Sequence, residues 1–185
     1  MNENIFFDVN QLKACGKNVI IGKTVRIRYP ELVEIGDNVI IDDFTYISTS
    51  LVLDNNVHIS AGCKIIGGAQ SKVTFGSFST LAPNVVVAAG SDDYISGIAT
   101  PMIPAEFKGN VEITEIKFGK HCIVGANSTV LPGACFEDGS SLGAQSLVKS
   151  KLKPWMLYVG VPAKAIKERN KEKILSLEAQ YLEQQ

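Results

Sequence analysis

Basic side chains are concentrated towards the carboxyl end of the chain. Residues 149–173 hold eight basic and two acidic residues, a local charge of +6, whereas the whole chain of 185 residues has a net charge of −1. A local cationic field of this kind favours the binding of phosphate groups. The alternative is a solvated helix start, which is the better explanation of Lys171 and Lys173. The basic residues are Lys149, Lys151, Lys153, Lys164, Lys167, Arg169, Lys171 and Lys173.

Two adjacent carboxylates, Asp92 and Asp93, lie in residues 90–112, a stretch without a periodic pattern. A carboxylate in a cleft can accept a proton in general acid–base catalysis. Its reference pKa of about 3.9 makes it a weak base unless burial or the neighbouring carboxylate raises the pKa. A solvated turn is the alternative role of this pair. The histidines of the chain, His58 and His121, both lie outside this stretch.

The elements that must position these residues are defined by a repeat of six. Large apolar side chains recur at every sixth position in two blocks, and in the second block a small residue follows four positions later. Neither a helix nor a single strand has this period, and a hexapeptide repeat is the signature of a parallel β-helix. The first block is Ile35, Ile41, Ile47, Leu53, Ile59 and Ile65; the second is Phe118, Val124, Val130, Phe136, Leu142 and Val148. The small residues are Cys122, Ser128, Ala134, Ser140 and Ser146.

The pattern predicts one domain in three parts: a cap over residues 1–17, a β-helix over 18–165 and a C-terminal helical segment over 166–185. Residues 67–70, Gly-Gly-Ala-Gln, break the phase and are interpreted as a turn that absorbs an insertion. Residues 90–112 abandon the repeat, and their length indicates a loop that projects from the coil. A long structureless loop in a compact domain is usually functional.

The last element is predicted to be a helix over residues 170–183. Ile174, Leu177 and Tyr181 lie on one face of it, and Asn170 is a suitable N-cap. We expect this helix to pack against the solenoid or against a neighbouring subunit.

Composition excludes several classes of protein. No apolar run approaches the roughly 20 residues of a membrane span, and the net charge gives no overall attraction to nucleic acid. The N-terminus shows no secretory signal, which favours a cytoplasmic protein. The four cysteines are expected to be reduced, with Cys63 and Cys122 buried. No pair has CxxC spacing, so no metal site is predicted.

Four segments carry a family resemblance: PMIP at 101–104, FGKHCIVGANSTVLPG at 118–133, LGAQSLV at 142–148 and VGVPAKAIKER at 159–169. With them the chain resembles the hexapeptide-repeat acyltransferases. It is most similar to the galactoside, maltose and serine-type sugar O-acetyltransferases and to their nucleotide-aminosugar N-acetyltransferase relatives. The resemblance implies an all-β solenoid: a left-handed parallel β-helix with a projecting loop and a C-terminal α-helix. It also implies a homotrimer with active sites between adjacent β-helices, beneath the loop.

The resemblance further implies that acetyl-CoA is the acyl donor. The predicted pantetheine contacts are backbone groups of Gly125, Ala126, Gly143 and Ala144. The predicted phosphate contacts are Lys149, Lys164 and Arg169, with Ser146 and Ala163 nearby. The alternative for the glycines and alanines is that they serve only the packing of the coils.

The candidate for the catalytic general base differs from that of the family. Galactoside-type enzymes carry a histidine in the projecting loop, where this chain has Asp92. An amine needs less activation than a hydroxyl, so this difference favours N-acylation of a nucleotide-linked aminodeoxysugar destined for cell-surface polysaccharide. Asp92 or Asp93 would contact the amine or accept its proton, with His121 as a third catalytic candidate. Tyr94 and Met102 are predicted to line the acceptor pocket.

Three alternatives remain. The first is O-acetylation of a sugar hydroxyl. The second is a non-catalytic β-helix used for assembly, which the missing histidine allows but which needs neither the loop nor the basic segment. The third is a γ-class carbonic anhydrase, which requires three histidines on zinc, whereas this chain has two.

Overall fold

The computed structural model describes residues 7–184. Over this range the chain forms short strands and one α-helix, α1 (Lys171–Leu182). Single 3-10 turns occur at Val9–Gln11, Pro30–Leu32 and Ala105–Phe107. The strands are β1 (Ala14–Cys15), β2 (Ile20–Ile21), β3 (Arg26–Ile27), β4 (Val33–Ile35), β5 (Ile40–Ile41), β6 (Tyr46–Leu53), β7 (His58–Ile59), β8 (Lys64–Phe75), β9 (Thr80–Leu81), β10 (Val86–Ala88), β11 (Gly90–Ser91), β12 (Glu112–Ile113), β13 (Glu115–Phe118), β14 (Ile123–Val124), β15 (Thr129–Val130), β16 (Cys135–Phe136), β17 (Ser141–Leu142), β18 (Leu147–Val148), β19 (Lys151–Leu152), β20 (Met156–Val159) and β21 (Lys164–Glu168).

The strands stack in three parallel ladders, which form the three faces of a β-helix with seven coils. The first ladder contains β2, β5, β7, β9, β14, β17 and β20. The second contains β3, the first halves of β6 and β8, β10, β15 and β18. The third contains β1, β4, the second halves of β6 and β8, β13, β16 and β19. The predicted β-helix solenoid is confirmed.

Large apolar side chains fill the centre of the coils, one from each face. All twelve residues of the two predicted blocks are at most 3% exposed, and so are the five small residues that follow four positions later. In the third ladder the rings of Phe75, Phe118 and Phe136 stack, with centroids 4.3 Å and 4.5 Å apart. The period of six thus follows from a coil in which each face contributes one inward side chain and each corner one small residue.

Two of the small corner residues are thiols. Cys63 and Cys122 are buried, as predicted. Desolvation raises the pKa of each thiol to about 11. Both groups are therefore protonated and unreactive at neutral pH.

The corner between the second and third ladders differs from the other two. Strands β6 and β8 run across it without a break, and their pairing shifts register between Ser48 and Ser50. Residues 67–70 are therefore part of a bulged strand, and the prediction of a turn was wrong. The neighbouring coil is extended at the same place, so that Thr49 pairs with Gly68 and donates its hydroxyl to the Ser71 carbonyl at 2.7 Å.

The projecting loop leaves from this same corner. Its neck is an antiparallel pair, β11 with β12, in which Gly90 lies opposite Ile113 and Ser91 opposite Glu112. Thr114 then binds the Ala89 carbonyl through both its amide, at 2.9 Å, and its hydroxyl, at 2.8 Å. The chain thus rejoins the coil next to the point where it left, and residues 92–111 form the predicted loop.

The two ends close the solenoid in different ways. Strand β1 already pairs with β4, so the first coil begins inside the predicted cap of residues 1–17, of which 1–6 lie outside the described residues. At the other end β21 folds back antiparallel on β20. The predicted N-cap is confirmed, since the Asn170 side chain accepts the Lys173 amide at 3.0 Å. Within residues 7–184, no helix has the length and apolar character of a membrane span.

Candidate active site

A cleft of about 520 Å³ lies beneath the projecting loop, at the corner where β8, β10 and the loop neck meet. One wall is strand backbone from β8 and β10, the other is the loop, and the floor comes from the residues after β15. Asp92 and Tyr94 are the predicted site residues that line it. The lining residues are Ile66, Gly67, Gly68, Ala88, Gly90, Ser91, Asp92, Tyr94, Pro101, Lys108, Val111, Glu112, Leu131 and Pro132.

The loop is braced internally by Asp93. Its carboxylate accepts the amides of Ile95 at 2.8 Å, Ser96 at 3.0 Å and Asn110 at 2.9 Å. These three bonds hold the pKa of the Asp93 carboxyl below its ordinary value. A carboxylate with a lowered pKa is a poorer base. Asp93 therefore organises the loop, and a catalytic role for it stays a prediction.

Of the two residues predicted to line the acceptor pocket, one lines the cleft and the other does not. Tyr94 lines the cleft with 89% of its surface exposed. Met102 is 87% exposed and lies on the loop outside the cleft lining. Lys108, Glu112 and the Gly67–Gly68 pair line the cleft but were not among the predicted site residues.

His121 is not among the residues that line this cleft; it belongs to the contact with helix α1. It occupies a corner with φ of +58° and is buried. Its Nε2 is 2.8 Å from Oε2 of Glu178, and its ring stacks on Phe78 with centroids 5.2 Å apart. Lys120 binds the other Glu178 oxygen at 3.2 Å. His121 thus has a structural role, because it anchors the C-terminal helix; its catalytic role stays a prediction.

We expect Glu178→Gln to destabilise the protein by about 1–3 kcal/mol at pH 7, because it weakens the hydrogen bonds that the Glu178 carboxylate makes with His121 and Lys120. Burial acts to raise the pKa of Glu178, but the bonds from His121 and Lys120 outweigh it and leave that pKa below its ordinary value. The folded state therefore favours the carboxylate. Its contribution is present above the pKa of an unfolded glutamate and is lost as the pH falls through the lowered value.

Thermal unfolding of wild type and Glu178→Gln between pH 7 and pH 3 measures this effect. The gap in Tm should narrow as the pH falls. Glu183→Gln, which removes an exposed carboxylate from the end of the same helix, should leave Tm nearly unchanged. A gap that stays constant with pH would contradict the role of the charged contact.

Two of the predicted coenzyme A contacts are engaged within the protein. Nη1 of Arg169 donates to the carbonyls of His121 and Gly139, both at 2.6 Å, and burial lowers the pKa of this guanidinium. The Ser146 hydroxyl accepts the Gly160 amide at 2.9 Å. Both side chains thus hold the β20–β21 end of the chain against the coils, and any binding role adds to that one.

The glycines of the second block are required by the spacing of the coils. A Cβ on Gly125 would lie 2.3 Å from the Ala144 amide nitrogen, and one on Gly143 would lie 2.7 Å from Cγ1 of Val159. This observation fits the structural alternative for Gly125 and Gly143.

The other residues predicted to bind coenzyme A lie at accessible positions. Ala144, Lys149 and Lys164 are exposed, while Ala126 and Ala163 are half-buried. They remain predictions of a coenzyme A site along this edge of the later coils. Among residues 7–184 no group of three His, Cys, Asp or Glu side chains is placed to hold a metal ion.

No family model matches the chain. It is 34% identical, over 90% of its length and 87% of the relative's, to dTDP-4-amino-4,6-dideoxy-D-glucose acyltransferase of Escherichia coli.

Solved structures of an N-acyltransferase are also similar to the chain. A variant of AntD, an N-acyltransferase from Bacillus cereus in complex with dTDP-4-amino-4,6-dideoxyglucose and coenzyme A, superposes with a TM-score of 0.91 at 34% identity, over 98% of this chain and 99% of that one. AntD in complex with dTDP and 3-hydroxybutyryl-CoA also gives a TM-score of 0.91 at 34% identity, over 98% of each chain. The repeat, the projecting loop and these relatives together show that the chain belongs to the hexapeptide-repeat β-helix acyltransferases.

Proposed function

We propose that the protein transfers an acyl group, acetyl in the simplest case, from acyl-CoA to the amine of a nucleotide-linked aminodeoxysugar. The observation that carries this proposal is the cleft beneath the loop, whose lining within residues 7–184 offers carboxylates and no histidine. A carboxylate suits an amine, which it can bind as the ammonium ion and from which it can accept a proton. The relatives that act on or bind dTDP-4-amino-4,6-dideoxyglucose support the same acceptor class.

In the proposed reaction the amine nitrogen attacks the thioester carbonyl carbon of acyl-CoA. The new C–N bond forms, the C–S bond breaks, and coenzyme A leaves as the thiolate. Asp92 accepts the proton that the nitrogen loses, and that proton ends on the departing sulfur or in solvent. Holding donor and acceptor in one cleft supplies much of the rate enhancement, because it replaces a bimolecular encounter by an oriented one.

The donor is proposed to lie along the edge of the later coils. Ala126 and Ala144 would allow the pantetheine arm to approach the backbone, and Lys149 and Lys164 would bind the phosphates. Exposure of Ala144, Lys149 and Lys164 supports this placement, as does the local charge of +6.

A homotrimer is proposed as the active form. The loop carries large apolar side chains on its surface, with Tyr94 and Ile95 about nine-tenths exposed. Exposed apolar residues grouped in this way mark an interaction surface, and an adjacent β-helix would cover them. We place the enzyme in the cytoplasm, with its product used for cell-surface polysaccharide.

A thiol-release assay tests the proposal. With acetyl-CoA as donor, dTDP-4-amino-4,6-dideoxyglucose should release free coenzyme A at a rate at least 100-fold above that with maltose or a galactoside. Mass spectrometry should show the sugar heavier by one acetyl group on nitrogen. Faster turnover of the hydroxyl acceptors would favour O-acetylation instead, and no binding of coenzyme A at millimolar concentration would favour a non-catalytic assembly module.

A further inference from the structure

Lys108 stands out in the cleft beneath the loop. Among the lining residues, all within the described range 7–184, it carries the one positive charge, beside the carboxylates Asp92 and Glu112. It is half-buried, and its ammonium group forms no ion pair or hydrogen bond with the described part of the chain. A lysine can bury its stem and keep the ammonium group accessible, so the charge of Lys108 is available to an anionic ligand in the cleft.

The loop holds the backbone of Lys108 firmly. The Lys108 amide closes the 3-10 turn on the Ala105 carbonyl at 3.0 Å. Gly97 packs so closely on the Lys108 carbonyl that a Cβ there would clash with it. On the following residues, Gly109 has φ of +70° and the Asn110 amide is bound by Asp93 at 2.9 Å. Lys108 therefore sits on a braced segment that presents it to the cleft.

The charges in the cleft have a defined order. Asp92 directly follows β11 at the neck of the loop, and Glu112 lies opposite Ser91 in the same neck. Lys108 is four residues before Glu112, further out on the loop. The cleft thus has a negative end at the coil and a positive group on the loop. A molecule with an amine at one end and a phosphate at the other matches this order.

We propose that Lys108 binds the diphosphate of the nucleotide-linked acceptor and so orients its amine towards Asp92. This inference rests on the proposed function and assigns a specificity-determining residue to it. The ammonium group acts as a compact charge on a flexible stem, which suits a diphosphate. Coenzyme A is the other phosphate ligand of the reaction, but its proposed phosphate contacts lie after residue 148, outside this cleft.

Titration calorimetry of the full chain with dTDP as the probe tests the assignment. Lys108→Met should weaken dTDP binding about 10- to 100-fold, the usual range for loss of one charge-assisted contact. Lys108→Arg should restore most of the affinity. Lys17→Met removes an exposed lysine from the first coil and should bind dTDP like the wild type.

Kinetics separate this role from a merely structural one. Lys108→Met should raise KM for the dTDP-linked aminosugar while KM for acetyl-CoA changes less than twofold. With the free aminosugar, which has no phosphate, wild type and variant should turn over equally. If the wild type binds dTDP and Lys108→Met binds it with an affinity within twofold, the assignment of Lys108 is wrong while the proposed function stands. The same conclusion follows if Lys108→Met raises KM for acetyl-CoA instead of KM for the aminosugar. If the wild type neither binds dTDP nor acylates the aminosugar, both are wrong.

Discussion

Replacing Asp92 by asparagine should lower kcat for amine acylation by about 100-fold or more, since a positioned general base contributes about 10²- to 10⁴-fold. Asparagine keeps the size of the side chain and can still accept a hydrogen bond from the amine, but it cannot take up the proton. KM for acetyl-CoA should stay within twofold, because the proposed donor contacts lie along the later coils. The measurement is steady-state thiol release with dTDP-4-amino-4,6-dideoxyglucose.

Two variants in the same loop serve as controls. Glu106→Gln removes an exposed carboxylate that lies outside the cleft lining, and it should leave kcat within twofold. Asp93→Asn removes part of the acceptor that holds three backbone amides, so it should loosen the loop and raise the acceptor KM more than it lowers kcat. If Asp92→Asn keeps activity within twofold of wild type, Asp92 is not the base and the substrate amine must lose its proton to solvent.

Asp92 and Asp93 could not be distinguished from the sequence. The pair was recognised from its position in an aperiodic stretch, but two adjacent carboxylates look alike in a sequence. Their environments differ in the fold, where Asn110, from the far side of the loop, comes within 2.9 Å of Asp93 and Asp92 lines the cleft. A local signal was available: an aspartate that accepts amides two and three residues later forms an Asx turn.

Lys108 has a stronger signal in the sequence. It is the only basic residue between Lys72 and Lys117, and so the only one in the predicted loop. A lone cation in a stretch assigned to the acceptor is a natural phosphate ligand, whereas the sequence prediction placed phosphate binding in the dense cluster at 149–173. His121 had no such signal, since its partner Glu178 is 57 residues away in sequence.

The β-helix itself was predictable because its determinants are local and repeated. Each coil needs the same inward side chains at the same spacing. An atypical residue at one position therefore does not hide the repeat, because the other positions still show it. The bulged strand at residues 67–70 escaped prediction for a related reason. Its partner is the extension of β6 at Ser48–Ser50, and neither stretch has the repeat pattern that identified the other strands.

Phe118→Ala should destabilise the protein by about 3–5 kcal/mol, the range for removing a buried aromatic side chain. Phe118 is 3% exposed and stacks between Phe75 and Phe136, with centroids at 4.3 Å and 4.5 Å. In a solenoid each coil is stabilised mainly by its two neighbours. A cavity at Phe118 therefore weakens the contact between the coils before and after the projecting loop at the same time.

Chemical or thermal unfolding at a fixed protein concentration measures this loss. Phe44→Ala is the matched control, because Phe44 is 73% exposed at a corner and its truncation should change the free energy of unfolding by less than about 0.5 kcal/mol. The loop rejoins the coil at β13, whose last residue is Phe118, so the variant should also lose acyl transfer at temperatures below its Tm. A loss below about 1 kcal/mol for Phe118→Ala would mean that the coils on either side of the loop are not coupled through the phenylalanine stack.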